Sequence, residues 1–381
     1  MPQIRCTSCY SVFPEDQFPY RCPACQGIYD YDGPPVYQGR TISHDFPGIW
    51  AYRSSFSLSI SSPVITLGEG NTPFIWTEYQ GTPIGLKLEF LNPTGSYKDR
   101  GTAVLTSYLL NRGYHRALED SSGNAGASFA AYAARAGISA RIYIPESASG
   151  PKRIQIERFG AELIRVPGPR SAASEAVLKE VERGGVYASH AYMPMGLMGI
   201  ATIAYELIDN LCVSYKYDSA DKSGDIQGLP GTIVAPVGHG GLLLGIIRGF
   251  TALKQAGVIE ELPCYVGVQS ASCAPVVAAS RFGIEAMEKI EERETIAEGV
   301  RVRKPVRVEA LLKETEPQKR DFLQISDEKT IIAHQELARR GIQVEPTSAL
   351  VWAALDQIIG RFPEPIVLIL TGSGLKYQPG V

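Results

Sequence analysis

Short apolar runs alternate with longer, mostly small-residue or amphipathic stretches along most of the chain. The run SARIYIP at 139–145 reads as a strand, after a helix predicted over 127–136 and stopped by Gly137. That helix is small and apolar nearly all round, which predicts burial against a sheet. A strand at 162–166 and a helix at 171–183 follow. Further on come a strand at 232–237, a helix at 242–256 ending before Gly257, and a strand at 264–268. Near the end, a helix at 346–359 opens on Pro346 and stops before Gly360, and PIVLIL at 365–370 is a fully apolar strand. Apolar strands alternating with helices predict an α/β protein built on parallel sheet. The polar stretch 214–228 reads as a surface insertion or link, and the charged region 288–320 as solvated helix and loop without chemistry.

Length and charge narrow the function classes. A chain of 381 residues holds two or three domains and a core large enough to enclose a cofactor. The net charge of −3 argues against a chain-wide surface for nucleic acid or anionic membrane. No stretch approaches the roughly 18 apolar residues of a membrane span. The start, MPQIRCTSCY, has no apolar signal core, so the expected compartment is the cytoplasm. There, cysteines are reduced thiols or metal ligands.

Four of the seven cysteines, Cys6, Cys9, Cys22 and Cys25, form two C-x-x-C pairs in the first 25 residues. Each pair lets two sulfurs reach one ion from a tight turn, and two pairs complete a closed, structural zinc site. A redox pair is the weaker reading, because no βαβ context surrounds it. Cys212, Cys264 and Cys273 are scattered and read as small buried hydrophobes.

The common nucleotide and metalloprotease motifs are missing: there is no G-x-x-x-x-G-K-[ST], H-E-x-x-H or strand-linked G-x-G-x-x-G. The five histidines lack metal-ligand spacing, and TGSG at 371–374 lacks a nucleophile elbow's pattern. Three glycine turns remain. In LNPTGSYKDRG, 91–101, Lys98 follows a turn that reads as a helix entry, where the positive dipole end disfavours an ammonium and frees the amine for Schiff-base chemistry. The bland reading of Lys98 is a surface ion pair with Asp99. In SSGNAGAS, 121–128, Asn124 offers a donor and an acceptor beside backbone that small residues leave bare. In VGHGGLLLG, 237–245, three glycines before a helix form a phosphate-sized nest. Each has a plain turn or cap as its alternative; together they suit a ligand with a phosphate, an imine-forming carbonyl and a polar ring.

These turns, with GEGNTPF at 68–74 and LTGSGLK at 370–376, resemble the fold type II pyridoxal-phosphate enzymes, and among them the threonine synthases. The resemblance covers about 66–376. It implies two open α/β domains like the tryptophan synthase β chain, with the cofactor in a cleft, plus a small N-terminal zinc ribbon. The expected division is a ribbon at 1–35, a large cofactor-binding domain at 36–90 and 215–381, and a small domain with the cofactor lysine at 91–214. Lys98 would then hold the cofactor and act as general base and acid. Asn124 would bind the ring hydroxyl, and the backbone of Gly238, His239, Gly240, Gly241 and Leu242 the phosphate. Thr371, ahead of Ser373, would meet the pyridine nitrogen, and a hydroxyl there keeps the ring a moderate electron sink suited to elimination. A homodimer is expected by analogy.

Two departures bear on the substrate. Threonine synthases usually carry threonine after the loop asparagine; here Ala125 stands. Where relatives place Glu and Lys around Gly-Thr, this chain has Met198 and Ala201. These methionines read as core packing or as a less polar pocket, leaving Arg100, Lys152 and Arg153 as candidate anion partners. The leading expectation is γ-elimination from O-phosphohomoserine and water addition to give threonine. The alternative is β-elimination or β-replacement on O-phosphoserine or O-acetylserine. A non-catalytic binding protein on the same scaffold would have no reason to keep Lys98, Asn124 and the glycine loop.

Overall fold

The structure, a computed structural model, describes residues 1–40, 46–59, 61–148, 150–218, 229–316 and 319–377, with backbone alone at 212–218. The chain forms two compact units: Met1–Gly70, Asn92–Ile200 and Lys376–Val381 in one, Asn71–Leu91 and Ala201–Leu375 in the other.

The first unit opens on an antiparallel pair, β1 (Ile4–Cys6) and β2 (Tyr29–Tyr31). Its main sheet is parallel, in the order β5 (Arg116–Glu119), β6 (Ser139–Pro145), β7 (Glu162–Val166). Helices α1 (Lys98–Asn111), α2 (Asn124–Ala136), α3 (Pro151–Arg158) and α4 (Arg170–Glu182) belong to it, with the start of α5 (Met195–Asp218). SARIYIP is its central strand, apolar because both faces are covered. Gly137 ends α2 with φ 68°, a left-handed cap that favours glycine.

The second unit holds a six-stranded sheet. Its order is β10 (Arg320–Ile325), β9 (Cys264–Ser270), β8 (Thr232–Pro236), β11 (Ile366–Ile369), β4 (Thr82–Lys87), β3 (Phe74–Tyr79). All neighbours are parallel except the β3–β4 hairpin. The apolar strands β8 and β11 are central and wholly buried. In this sheet the strands that the pattern missed are edges with polar residues, β3 and β10, and β4, which carries Pro83, Gly85 and Lys87. Lys87 is fully buried and donates to Glu206 Oε2 at 2.7 Å, Thr72 O at 2.8 Å and Asn210 Oδ1 at 3.0 Å. The helices are the rest of α5, α6 (Gly241–Gln255), α7 (Pro275–Phe282), α8 (Val308–Thr315), α9 (Asp327–Arg339), α10 (Pro346–Ala353) and α11 (Leu355–Ile358).

Four expectations change. Residues 36–70 join the lysine-bearing unit, because Trp50, Phe56 and Ile65 share a core cluster with Val104 and Leu109, and Ile65 N donates to Ser107 Oγ at 2.9 Å. The stretch 214–218 continues α5, while 219–228 lies outside the described residues. The helix expected at 346–359 is interrupted at Ala354. The region 288–320 is not all solvated: Ala297, Val300 and Leu311 are core residues, and Arg307 is 1% exposed.

Candidate active site

Lys98 is the first residue of α1, as the turn before it predicts. Its amine donates to the Tyr97 hydroxyl at 2.7 Å and lies 4.6 Å from the centre of that ring. Asp99 is engaged elsewhere, which disposes of the bland reading. Its carboxylate accepts from Thr94 N at 2.7 Å, Thr94 Oγ1 at 2.6 Å and Ser128 Oγ at 2.7 Å. Those bonds tie the Pro-Thr-Gly-Ser turn to α1 and α2, fixing where Lys98 leaves the helix. Burial pushes Asp99 up to about 6, against the opposing pull of Thr94 and Ser128.

Asn124 opens α2, three residues earlier than the pattern predicts. The loop before it is held close: a Cβ on Gly126 would stand 1.8 Å from the Ser121 carbonyl oxygen. Asn124 Oδ1 accepts from Lys376 Nζ at 2.7 Å, and the same ammonium donates to Thr94 O at 2.7 Å. Lys376 closes the LTGSGLK motif but carries no role in the sequence reading. It is a cation bonded to the residue just before Ala125. The other candidates fit less well, since Arg153 pairs with Glu157 at 3.0 Å and Arg100 is fully buried. Met193, Met195 and Met198 are all at most 2% exposed and belong to the core cluster. Between them, Gly196 and Gly199 let α5 approach α1: a Cβ on Gly199 would meet Arg100 O at 2.0 Å. Core packing accounts for this segment.

In the second unit the glycine loop joins β8 to α6. Gly240 has φ 93° and caps α6. An added Cβ there would meet Arg307 Cβ at 3.3 Å, and one on Gly238 the Gly299 carbonyl oxygen at 3.0 Å. His239 O accepts from Arg307 N at 3.0 Å. A buried arginine therefore braces this loop from a region that looked like solvated surface. Thr371 is buried, and its hydroxyl lies 2.9 Å from Ser348 Oγ, which also accepts from Thr371 N and Gly372 N. Ser373 Oγ accepts from Leu375 N at 3.3 Å.

Residues 65–372 match the family described as pyridoxal-phosphate dependent enzymes. The chain belongs to that family. Its relatives include the threonine synthase of Methanosarcina acetivorans, 30% identical over 99% of this chain and 92% of that one. The threonine synthase of Methanocaldococcus jannaschii is 32% identical over 98% of this chain and 92% of its own. That of Mycobacterium bovis is 33% identical over 88% and 91%. Among solved structures, a threonine deaminase from T.th. superposes with a TM-score of 0.62 at 25% identity, covering 81% of this chain and 94% of that one. A fungal L-serine ammonia-lyase from Rhizomucor miehei has a TM-score of 0.65 at 21% identity, covering 79% and 93%, and supports the fold alone. The protein is thus a pyridoxal-phosphate-dependent lyase with a threonine synthase-like function and the fold type II architecture.

The residues fit the cofactor of such an enzyme. Bare backbone at Gly238 and Gly240 and the first turn of α6, whose amides lack helical acceptors, form a cradle for a phosphate ester at a positive dipole end. Outside this family's domain, the Cys6, Cys9, Cys22 and Cys25 sulfurs all lie within 4.8 Å of one another. Cys6–Cys25 is 3.4 Å and Cys9–Cys22 is 3.6 Å. A tetrahedral thiolate shell with bonds of about 2.3 Å spaces its sulfurs about 3.8 Å apart, so the cluster suits zinc. The Ser11 hydroxyl and then its amide hold Cys9 down to about 6. The cysteine-bearing segment is not free-standing: Phe18 meets Tyr108 and Tyr114 edge-on or tilted, and Arg112 donates to Pro14 O at 2.8 Å. Among the described residues no helix is long and apolar enough to cross a membrane.

Proposed function

We propose that this enzyme converts O-phosphohomoserine to threonine by removal of α and β protons, loss of the γ-phosphate and addition of water at Cβ. The cofactor, when bound, supplies the electron sink for carbanion formation. Lys98 binds its aldehyde and then moves protons at the substrate's Cα and Cβ. Asn124 orients the ring, Gly238, His239, Gly240, Gly241 and Leu242 hold the phosphate by their backbone, and Thr371 serves the pyridine nitrogen. The carrying observation is Lys98 itself: an amine at a helix N-terminus, hydrogen-bonded to a tyrosine, with the neighbouring carboxylate committed to Thr94 and Ser128. The ribbon cysteines hold one structural zinc, and the protein works as a cytoplasmic homodimer.

A second reading is β-elimination or β-replacement on O-phosphoserine or O-acetylserine. It is favoured by Ala125, which has no hydroxyl for a leaving phosphate. The deciding assay supplies the holoenzyme with each substrate and follows phosphate and amino-acid product. Threonine and phosphate from O-phosphohomoserine support the first reading. Turnover confined to the serine esters replaces it with the second.

A further inference from the structure

At the carboxyl end of β5, just before the loop that carries Asn124, stands Glu119, with its side chain 1% exposed. Ligands of open parallel sheets bind at this end of the strands. Glu119 Oε1 lies 3.1 Å from His190 Nδ1. Oε2 is fully buried and has no hydrogen-bond partner among the described residues. Leaving a buried polar atom unpaired is costly, so this oxygen is open to a partner from a bound molecule.

The charged groups around Glu119 come from four elements: Asp120 beside it, Arg170 on α4, Lys98 on α1, and His190. Tyr187, hydrogen-bonded to Asp120 at 2.7 Å, also faces it. Burial first, and then Asp120, hold the Glu119 carboxyl well above the usual carboxylate range, against the pull of Arg170 and Lys98. A neutral carboxyl with a spare oxygen is a proton donor, whereas an ionised one would repel an anionic leaving group. His190, 23% exposed, gives the buried acid a route to solvent.

We propose that Glu119 is the acid that protonates the substrate's departing group and that His190 returns the proton from solvent. This rests on the reading of Lys98 as the cofactor lysine. In the step, the electron pair left at Cβ when its proton is removed forms the Cβ–Cγ double bond as the Cγ–O bond breaks, and the Cγ–O pair stays on the phosphate oxygen. The Glu119 O–H proton passes to that oxygen, and the carboxylate left behind regains a proton through His190.

The test compares wild type, Glu119→Gln and His190→Asn as holoenzymes, with circular dichroism to verify folding. Infrared difference spectra report the protonated carboxyl directly. A band at pH 7 that is absent in Glu119→Gln is expected; its absence from wild type overturns the proposal whatever the substrate. With O-phosphohomoserine, Glu119→Gln is expected to lower kcat on the order of 10²–10⁴-fold with little change in KM. The alkaline fall of the wild-type kcat profile should vanish in that variant. His190→Asn, which keeps the acid, should slow turnover and be rescued by imidazole buffer. An unchanged rate and pH profile in Glu119→Gln overturns the proposal. Failure of wild type to release phosphate sinks the substrate reading instead, and the infrared result still decides the state of Glu119. Lys98→Ala that keeps the absorption of lysine-bound cofactor sinks the cofactor-lysine reading.

Discussion

Gly126→Ala perturbs the asparagine loop without touching a polar group. The new methyl carbon would stand 1.8 Å from the Ser121 carbonyl oxygen. Ordinary carbon–oxygen contacts sit at about 3.3 Å, so loop or helix must yield by about 1.5 Å. Ser121 is three residues from Asn124, and Gly126 lies in the first turn of α2, so the displacement falls on the residue proposed to orient the cofactor. Misplacement of about 1 Å can cost on the order of 100-fold in rate, and a loss of that order is expected in kcat/KM. Gly137→Ala is the matched control at the other end of the same helix. Its φ of 68° strains an alanine by roughly 1–2 kcal/mol, but nothing lies within 4 Å of the added carbon. It should lower the melting temperature by a few degrees and leave kcat/KM unchanged. The assay is cofactor titration by absorbance together with steady-state kinetics on both variants. If Gly126→Ala binds cofactor and turns over like wild type, while Gly137→Ala behaves as stated, the loop does not position Asn124 for function.

Asp99→Asn should flatten one part of the pH–stability curve. Burial raises the native carboxyl from 3.8 to about 6, so between those values the folded state keeps a proton that the unfolded chain releases. That stabilisation is full below pH 3.8 and is lost as pH rises through 6, about 3 kcal/mol in all; urea unfolding of wild type against variant across pH 4–7 measures it. Lys376→Gln removes a charged donor shared by Asn124 and Thr94. It should weaken cofactor binding about tenfold or more, read by absorbance titration, and unchanged affinity would remove Lys376 from the site. One zinc per chain is expected by elemental analysis. Cys22→Ser should abolish it and lower thermal stability, since a ribbon this small draws its folding energy from the metal.

Most strands legible in the sequence are well buried, although β7, an edge strand with Glu162 and Arg165 exposed, was legible as well. TIVAP and IVLI are wholly buried and SARIYIP is buried except at Ser139 and Arg141, so each reads as a mostly apolar run and no period is needed to see them. Edge strands β3 and β10 mix charged and aromatic residues and resemble loops in one dimension. Helix α5 escaped notice because its glycines, read locally, are helix breakers; they are retained where α5 backbone meets α1 backbone.

The sequence by itself determined the parts whose chemistry is local in the chain. The paired cysteines, the lysine after its Pro-Thr-Gly-Ser turn, the asparagine at a helix start and the glycine nest are each readable within a short window, because a turn or helix terminus is made by its neighbours. Only the tertiary structure decided the relations among distant residues. It engaged Asp99 through Thr94 and Ser128, set Lys376 on Asn124 across 252 residues of sequence, braced the glycine loop with buried Arg307, and left one oxygen of Glu119 buried without a hydrogen-bond partner among the described residues. Burial and long-range hydrogen bonds depend on which segments the core brings together, and that is a property of the folded chain that no local pattern encodes.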